Sequence, residues 1–279
     1  MSSASDNQTM EAAPRRSINY LRTIRIIYFR ELKAFLATPF GWVVLACTMG
    51  LQAFSLQTVL KVMSVATGEG IMYYMLNDIT FWFYFIFLFP LITMRAFAEE
   101  ERMGTLEGLL TAPVTTLQVL LGKYFAANTF YLIIWLPLML YPWMSDLGNF
   151  YTECRYDIVA TGALEYRLAD WLGAFSILAL TGSFFVALGI LCSSLTRSQI
   201  IAGIVCTCMM ITYYFMSRVT ELWGEFQAAP MFHYFSVTEQ ISSFSRGLVD
   251  TRPLVLYSSL TILTLALTKR VVDYRRWRR

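Results

Sequence analysis

Apolar runs dominate the chain, and the polar stretches between them are short enough to mark boundaries. From Ser17, Ile18, Leu21, Ile24, Tyr28, Leu32 and Phe35 recur at helical spacing. Asn19, Arg22, Thr23, Arg30 and Lys33 gather on the opposite side, with Arg25 and Ile26 as exceptions. That pattern predicts an amphipathic basic helix over residues 17–37, suited to the headgroup layer of an anionic leaflet, after a polar, disordered lead-in at 1–16. Thr38 and Pro39 end it. Six long apolar segments follow, at about 40–60, 76–97, 121–144, 171–195, 199–217 and 253–271. Each can span a bilayer, which takes about 20 apolar residues in a helix. Pro90 is expected to kink the second, and Gly182 and Gly189 in the fourth allow close helix approach. Two polar or mixed regions, 145–170 and 218–252, are long enough to fold outside the bilayer. The second is aromatic enough for short helices that dip back toward the membrane.

Between the second and third spans lies the densest punctuation in the chain. Glu99, Glu100, Glu101 and Arg102 close one helical pattern at Gly104. Thr105 can cap a new one, in which Leu106, Leu109 and Leu110 repeat at helical spacing until Pro113 stops it. Thr115 and Gln118 then have the form of a capping box that opens the third span. The prediction is a short helix at 104–113 lying across the end of the bundle, with a leucine face that a bare turn would not need.

Composition agrees with a lipid-solvated chain. Of the 279 residues, 57% are hydrophobic and only 15% charged, away from the balance of a soluble domain. The net charge of +3 gives no reason to expect nucleic acid as a partner. Of the 22 Lys and Arg, only Lys61, Arg155, Arg167, Arg218, Arg246 and Arg252 fall in regions that six crossings would place outside if both termini are cytoplasmic. The fold class is therefore an all-α integral membrane protein with six spans, an interfacial helix and a short cytoplasmic helix. The polar N-terminus lacks the form of a cleavable signal peptide.

Chemistry is sparse. The spans carry no ionisable residue away from their ends, which weighs against a carrier driven by an ion gradient. His233 is the single histidine, too few for a histidine-rich zinc site. No Gly-x-x-x-x-Gly-Lys-Ser/Thr loop occurs, so the chain is not expected to bind ATP. Four of the five cysteines (Cys47, Cys192, Cys206, Cys208) sit in apolar runs, and Cys154 in a polar loop, which implies no disulfide framework. A membrane-embedded lipid-modifying enzyme would have only His233, Glu239 and Ser242 to work with, and a bare anchor for a cytoplasmic complex would need no bundle that moves. The topology is that of a transporter without an energy source of its own.

The run from Glu99 through Glu107, then Leu109 to Pro113, then Gly122 and Lys123, resembles the signature of ABC-2 type permeases, the membrane subunits of ATP-driven transporters. The tail (His233, Tyr234 and Phe235, then Phe244 to Asp250, ending in Arg275, Arg276 and Trp277) is similar to the branch that includes bacterial gliding-motility permeases. The resemblance implies that 104–113 is the coupling helix, seated in a cleft of a separate ATP-binding subunit. Gly104 and Thr105 would start it, Leu106, Leu109 and Leu110 would make apolar contact, Glu107 a polar one, and Pro113 would end it. It further implies an interfacial helix (Arg22, Arg30, Lys33) bracing that subunit, and a second permease copy or paralogue with spans two and five near the pathway. ATP and magnesium would reside in the partner, with no cofactor on this chain, in a bacterial inner membrane.

Overall fold

A computed structural model of the chain describes residues 20–63, 71–104, 114–147, 168–222 and 235–277. Every regular element among them is a helix: α1 (Tyr20–Ala37), α2 (Pro39–Met63), α3 (Ile71–Asn77), α4 (Ile79–Thr93) and α5 (Ala98–Arg102) in the first half. The second half holds α6 (Thr116–Leu147), α7 (Leu168–Leu195), α8 (Gln199–Leu222), α9 (Val237–Ser245) and α10 (Thr251–Trp277).

The α1–α2 boundary follows from local chemistry. Pro39 has no N–H to give to α1 but suits the first position of α2, where that donor has no intrahelical acceptor. The Trp42 indole then donates to the Leu36 carbonyl at 2.7 Å, which pins the corner between the two helices.

Among the described residues, five helices (α2, α6, α7, α8 and α10) are long and apolar enough to cross a membrane. The sixth candidate is a bent pair: α3 and α4 meet at 60°. The chain thus breaks at Asp78, inside the 76–97 span expected from sequence, and Pro90 lies in the last turns of α4. Asp78 does not use its side chain to cap α4. Its carboxylate instead accepts a hydrogen bond from Ser55 of α2 at 3.3 Å. At the other end of α4, the Met94 carbonyl meets Ser193 of α7 at 3.1 Å. Those two partners lie at opposite ends of the bundle, so the pair passes from one end to the other. Counted as one span, it brings the total to six.

α7 occupies the middle, packed by α4, α6, α8, α9 and α10. Gly182 and Gly189 make this possible, as the sequence led us to expect. A Cβ on Gly182 would meet the Tyr131 ring at 2.1 Å, and one on Gly189 would meet Thr93 Oγ1 at the same distance. The space they free is filled by rings from α4, α6 and α7: Phe85 to Phe89 at 4.9 Å, Phe89 to Tyr131 at 5.3 Å and Phe89 to Phe185 at 5.2 Å. Between helices in lipid, such packing rather than water exclusion supplies the attraction. The buried Tyr131 hydroxyl is satisfied by donating to the Leu178 carbonyl at 2.9 Å. Outward faces are apolar instead, with Ile200, Ile204 and Phe215 of α8 and Val255 and Ile262 of α10 exposed. That inversion is what acyl chains, not water, accept.

Candidate functional site

α5 is a single turn and a half, and nothing in its own length would hold it in place. Its last turn ends where Met103 donates to the Glu99 carbonyl at 3.0 Å and Gly104 to the Glu101 carbonyl at 3.2 Å. Gly104 has φ +70, a conformation that side chains resist and glycine adopts freely. The chain leaves α5 at this residue and re-enters the described structure at Val114. There the Thr115 N–H donates to Gln118 Oε1 at 2.9 Å, and the Gln118 N–H donates back to Thr115 Oγ1 at 3.4 Å. The capping box expected from sequence is thus formed at the mouth of α6. Residues 105–113, which lie between these two ends in the sequence, are outside the described residues.

Two charge clusters fix α5. In the first, Lys123 of α6, only 4% exposed, reaches Glu100 at 2.8 Å and Glu31 of α1 at 3.3 Å. Arg30 joins it, 2.7 Å from Glu31 and 3.5 Å from Glu100. In the second, Glu101, itself 5% exposed, holds Arg197 from the α7–α8 turn at 3.1 Å and Arg275 of α10 on its other oxygen. Three further contacts complete the setting. Ser193 of α7 meets the backbone of the α4–α5 turn. The Arg95 guanidinium lies over the Phe40 ring at 4.0 Å. The Lys123 ammonium sits 5.5 Å from the Phe97 ring. One five-residue helix is thereby tied to α1, α6, α7 and α10, and the turn before it to α2.

Electrostatics follow the geometry. Burial alone would raise the Glu31 carboxyl, but the Lys123 ammonium and the Arg30 guanidinium together hold it below its ordinary value. The hydrogen bond to Glu31 holds Arg30 correspondingly above its own. Both carboxylates facing Lys123 are partly enclosed, so removal of that one cation would leave two anions short of a counter-charge.

Of the residues singled out from sequence, Gly104 is exposed at the exit of α5, with open space around its α-carbon. Thr105, Leu106, Glu107, Leu109, Leu110 and Pro113 lie outside the described residues. Arg30 is drawn into the first cluster, whereas Arg22 and Lys33 are exposed on α1 and make no ion pair among the described residues. Sequence reasoning missed Glu31, Glu101, Arg197, Arg275 and Ser193 as a set. One signal was present: Glu31 is an acid between Tyr28, Leu32 and Phe35 on the apolar side of α1. A charge on the wrong face of an amphipathic helix marks a buried partner.

Fold and site together define a polytopic membrane protein whose spans converge on one clamped connection between the second and third of them. The sequence pattern of the ABC-2 family transporter proteins matches residues 35–266, most of the chain, and the chain belongs to that family. No curated protein matches the chain.

Proposed function

We propose that this chain is the permease subunit of an ATP-driven transporter, powered by a separate ATP-binding subunit that grips residues 104–113. Membership of the ABC-2 family makes it a transporter membrane component. The reading of how it is driven rests on one observation: α5, which leads directly into 104–113, is bonded to α1, α6, α7, the α7–α8 turn and α10. A connection that only turned the chain around would not need that. A lever that had to move several spans would.

In this account, Leu106, Leu109 and Leu110 seat in an apolar cleft of the partner, Glu107 makes a polar contact, and Pro113 ends the helix. ATP and magnesium belong to the partner. Closure of two ATP-binding subunits displaces the 104–113 segments, α5 follows, and the bundle alternates between inward and outward access. A second copy or paralogue completes the transporter, and the exposed apolar side of α8 is available to it or to lipid. The α5 end faces the cytoplasm with both termini, in a bacterial inner membrane, and the exposed Arg22 and Lys33 meet anionic headgroups there or the partner.

Leu106→Asp and Leu109→Asp test the reading. Each is expected to abolish co-purification of the ATP-binding subunit while the chain still inserts, as followed by protease protection in membranes. Loss of insertion with either substitution would place those leucines in the bundle's own packing and remove the docking role.

A further inference from the structure

We propose that Ser193 is the joint through which movement of the 104–113 segment enters the bundle, and that α7 carries it to α9 at the opposite end. The inference rests on the proposed function and adds the route inside the protein.

The chain between α4 and α5 is broken, and a break leaves backbone groups without helical partners. One fully buried hydroxyl serves both sides of this one. Ser193 Oγ donates to the Met94 carbonyl at 3.1 Å, closing the end of α4. The same oxygen accepts the Phe97 and Ala98 N–H groups, each at 3.1 Å, which are the first donors of α5. One donor and two lone pairs are the whole capacity of a serine hydroxyl, and all are used. The orientation of α5 is thus referred to α7 and not only to α4, which precedes it in the chain. Its neighbour Ser194 is almost equally buried but donates to Leu191 within α7 at 2.7 Å. That difference isolates the role of position 193.

At the far end of α7, Gly173 touches α9 as closely: a Cβ there would lie 2.3 Å from the Phe244 carbonyl and 3.8 Å from the Gly247 α-carbon. A contact with backbone on both sides leaves no soft side chain to absorb displacement. α7 therefore meets the clamped turn at one end and the α9 backbone at the other, with Gly182 and Gly189 packed tightly between. Ser193 is a positioning residue; it touches neither nucleotide nor cargo. Contiguity alone does not establish coupling, so the test must read the far end while the near end is perturbed.

The experiment uses the complete complex, permease with its ATP-binding subunit in nanodiscs, and compares hydrogen–deuterium exchange of the peptide spanning 237–250 without nucleotide and with ATP plus vanadate. In the wild type, nucleotide is expected to change exchange there. Ser193→Ala should reduce that difference about fivefold or more, the shift expected when a buried hydrogen-bond network loses its centre. The same variant should retain the ATP-binding subunit. Ser193→Thr, which keeps the hydroxyl, should restore the difference, and Ser194→Ala should leave it at the wild-type level. If Ser193→Ala does not assemble, Ser193→Cys, similar in size and a weak hydrogen-bond former, carries the test and should give an intermediate loss. A full nucleotide response in Ser193→Ala, or an equal loss in Ser194→Ala, overturns the inference. So does a wild-type complex that hydrolyses ATP while the 237–250 peptide stays indifferent, an outcome that leaves the proposed function standing. Failure of the wild type to retain any ATP-binding subunit overturns the proposed function, and this inference with it.

Discussion

The two ends of the bundle are fastened by different chemistry. At the α5 end, enclosed carboxylates pair with Lys123, Arg30, Arg197 and Arg275. Between described residues at the α9 end, helices are joined by hydrogen bonds and ring contacts, and the ion pair of Asp250 with Arg252 at 3.8 Å is exposed and local. Ser217 Oγ lies 2.8 Å from Ser236 Oγ and 2.5 Å from Thr238 Oγ1. Tyr257 donates to Gln240 at 2.6 Å, and Arg246 sits over the Tyr73 ring at 4.4 Å. Neutral hydrogen bonds stabilise by about 1 kcal/mol each, whereas stripping one partner from an enclosed ion pair costs about 3–5 kcal/mol. By that measure the ion pairs named at the α5 end cost more to part than the neutral bonds named at the α9 end. Under the proposed function the α5 end takes up the force, and the costlier contacts lie there.

The largest test of this contrast is Lys123→Met, which removes the buried cation shared by Glu31 and Glu100 and leaves them only the half-exposed Arg30. It should destabilise the protein by about 3–5 kcal/mol, read as a fall in the thermal unfolding midpoint in nanodiscs. Adding Glu31→Gln and Glu100→Gln should recover part of the loss, since the cost lies in unpaired charge. A Lys123→Met protein as stable as wild type would remove the charged clamp from the account. At the opposite end, Gly173→Ala forces a methyl group against the Phe244 carbonyl. A loss of about 1–3 kcal/mol is expected, and protease cleavage near α9 should rise. Ser217→Ala should cost less, about 1 kcal/mol, because Ser236 and Thr238 remain within 3.2 Å of each other. If it cost as much as Lys123→Met, the two ends would not differ as described.

Acid gives the finest discrimination. The folded Glu31 carboxyl lies below its ordinary value of 4.5. Its contribution is therefore complete above that value, and is lost as pH falls through 4.5 and then through the lowered folded value. Glu31→Gln should flatten the part of the stability profile below pH 4.5, whereas Ser217→Ala should leave its shape unchanged.

Much of this architecture was legible because it is local. The Thr38–Pro39 boundary, the Thr115–Gln118 capping box and the close approach at Gly182 and Gly189 all depend on residues within a turn of one another or on missing side-chain volume. The break at Asp78 was not legible, because a partner 23 residues away on another helix takes its carboxylate. Pro90 looked the better candidate for a bend, yet α4 continues past it to Thr93. The clamp around α5 was only half visible. Three consecutive glutamates announced something, but their cations come from α1, α6, the α7–α8 turn and α10, and no spacing rule links those positions. Ser193 resembled any other serine in an apolar helix, since its meaning lies in the backbone it faces.

The central claim is that α5 and the segment after it transmit force from an outside source. It is tested most directly by purifying the chain from its native membrane under mild conditions and measuring ATP hydrolysis in the preparation. The account predicts a stoichiometric ATP-binding protein and vanadate-sensitive turnover, both lost together in Leu109→Asp. A chain that purifies alone, and still moves solute across reconstituted vesicles without that companion, would contradict it.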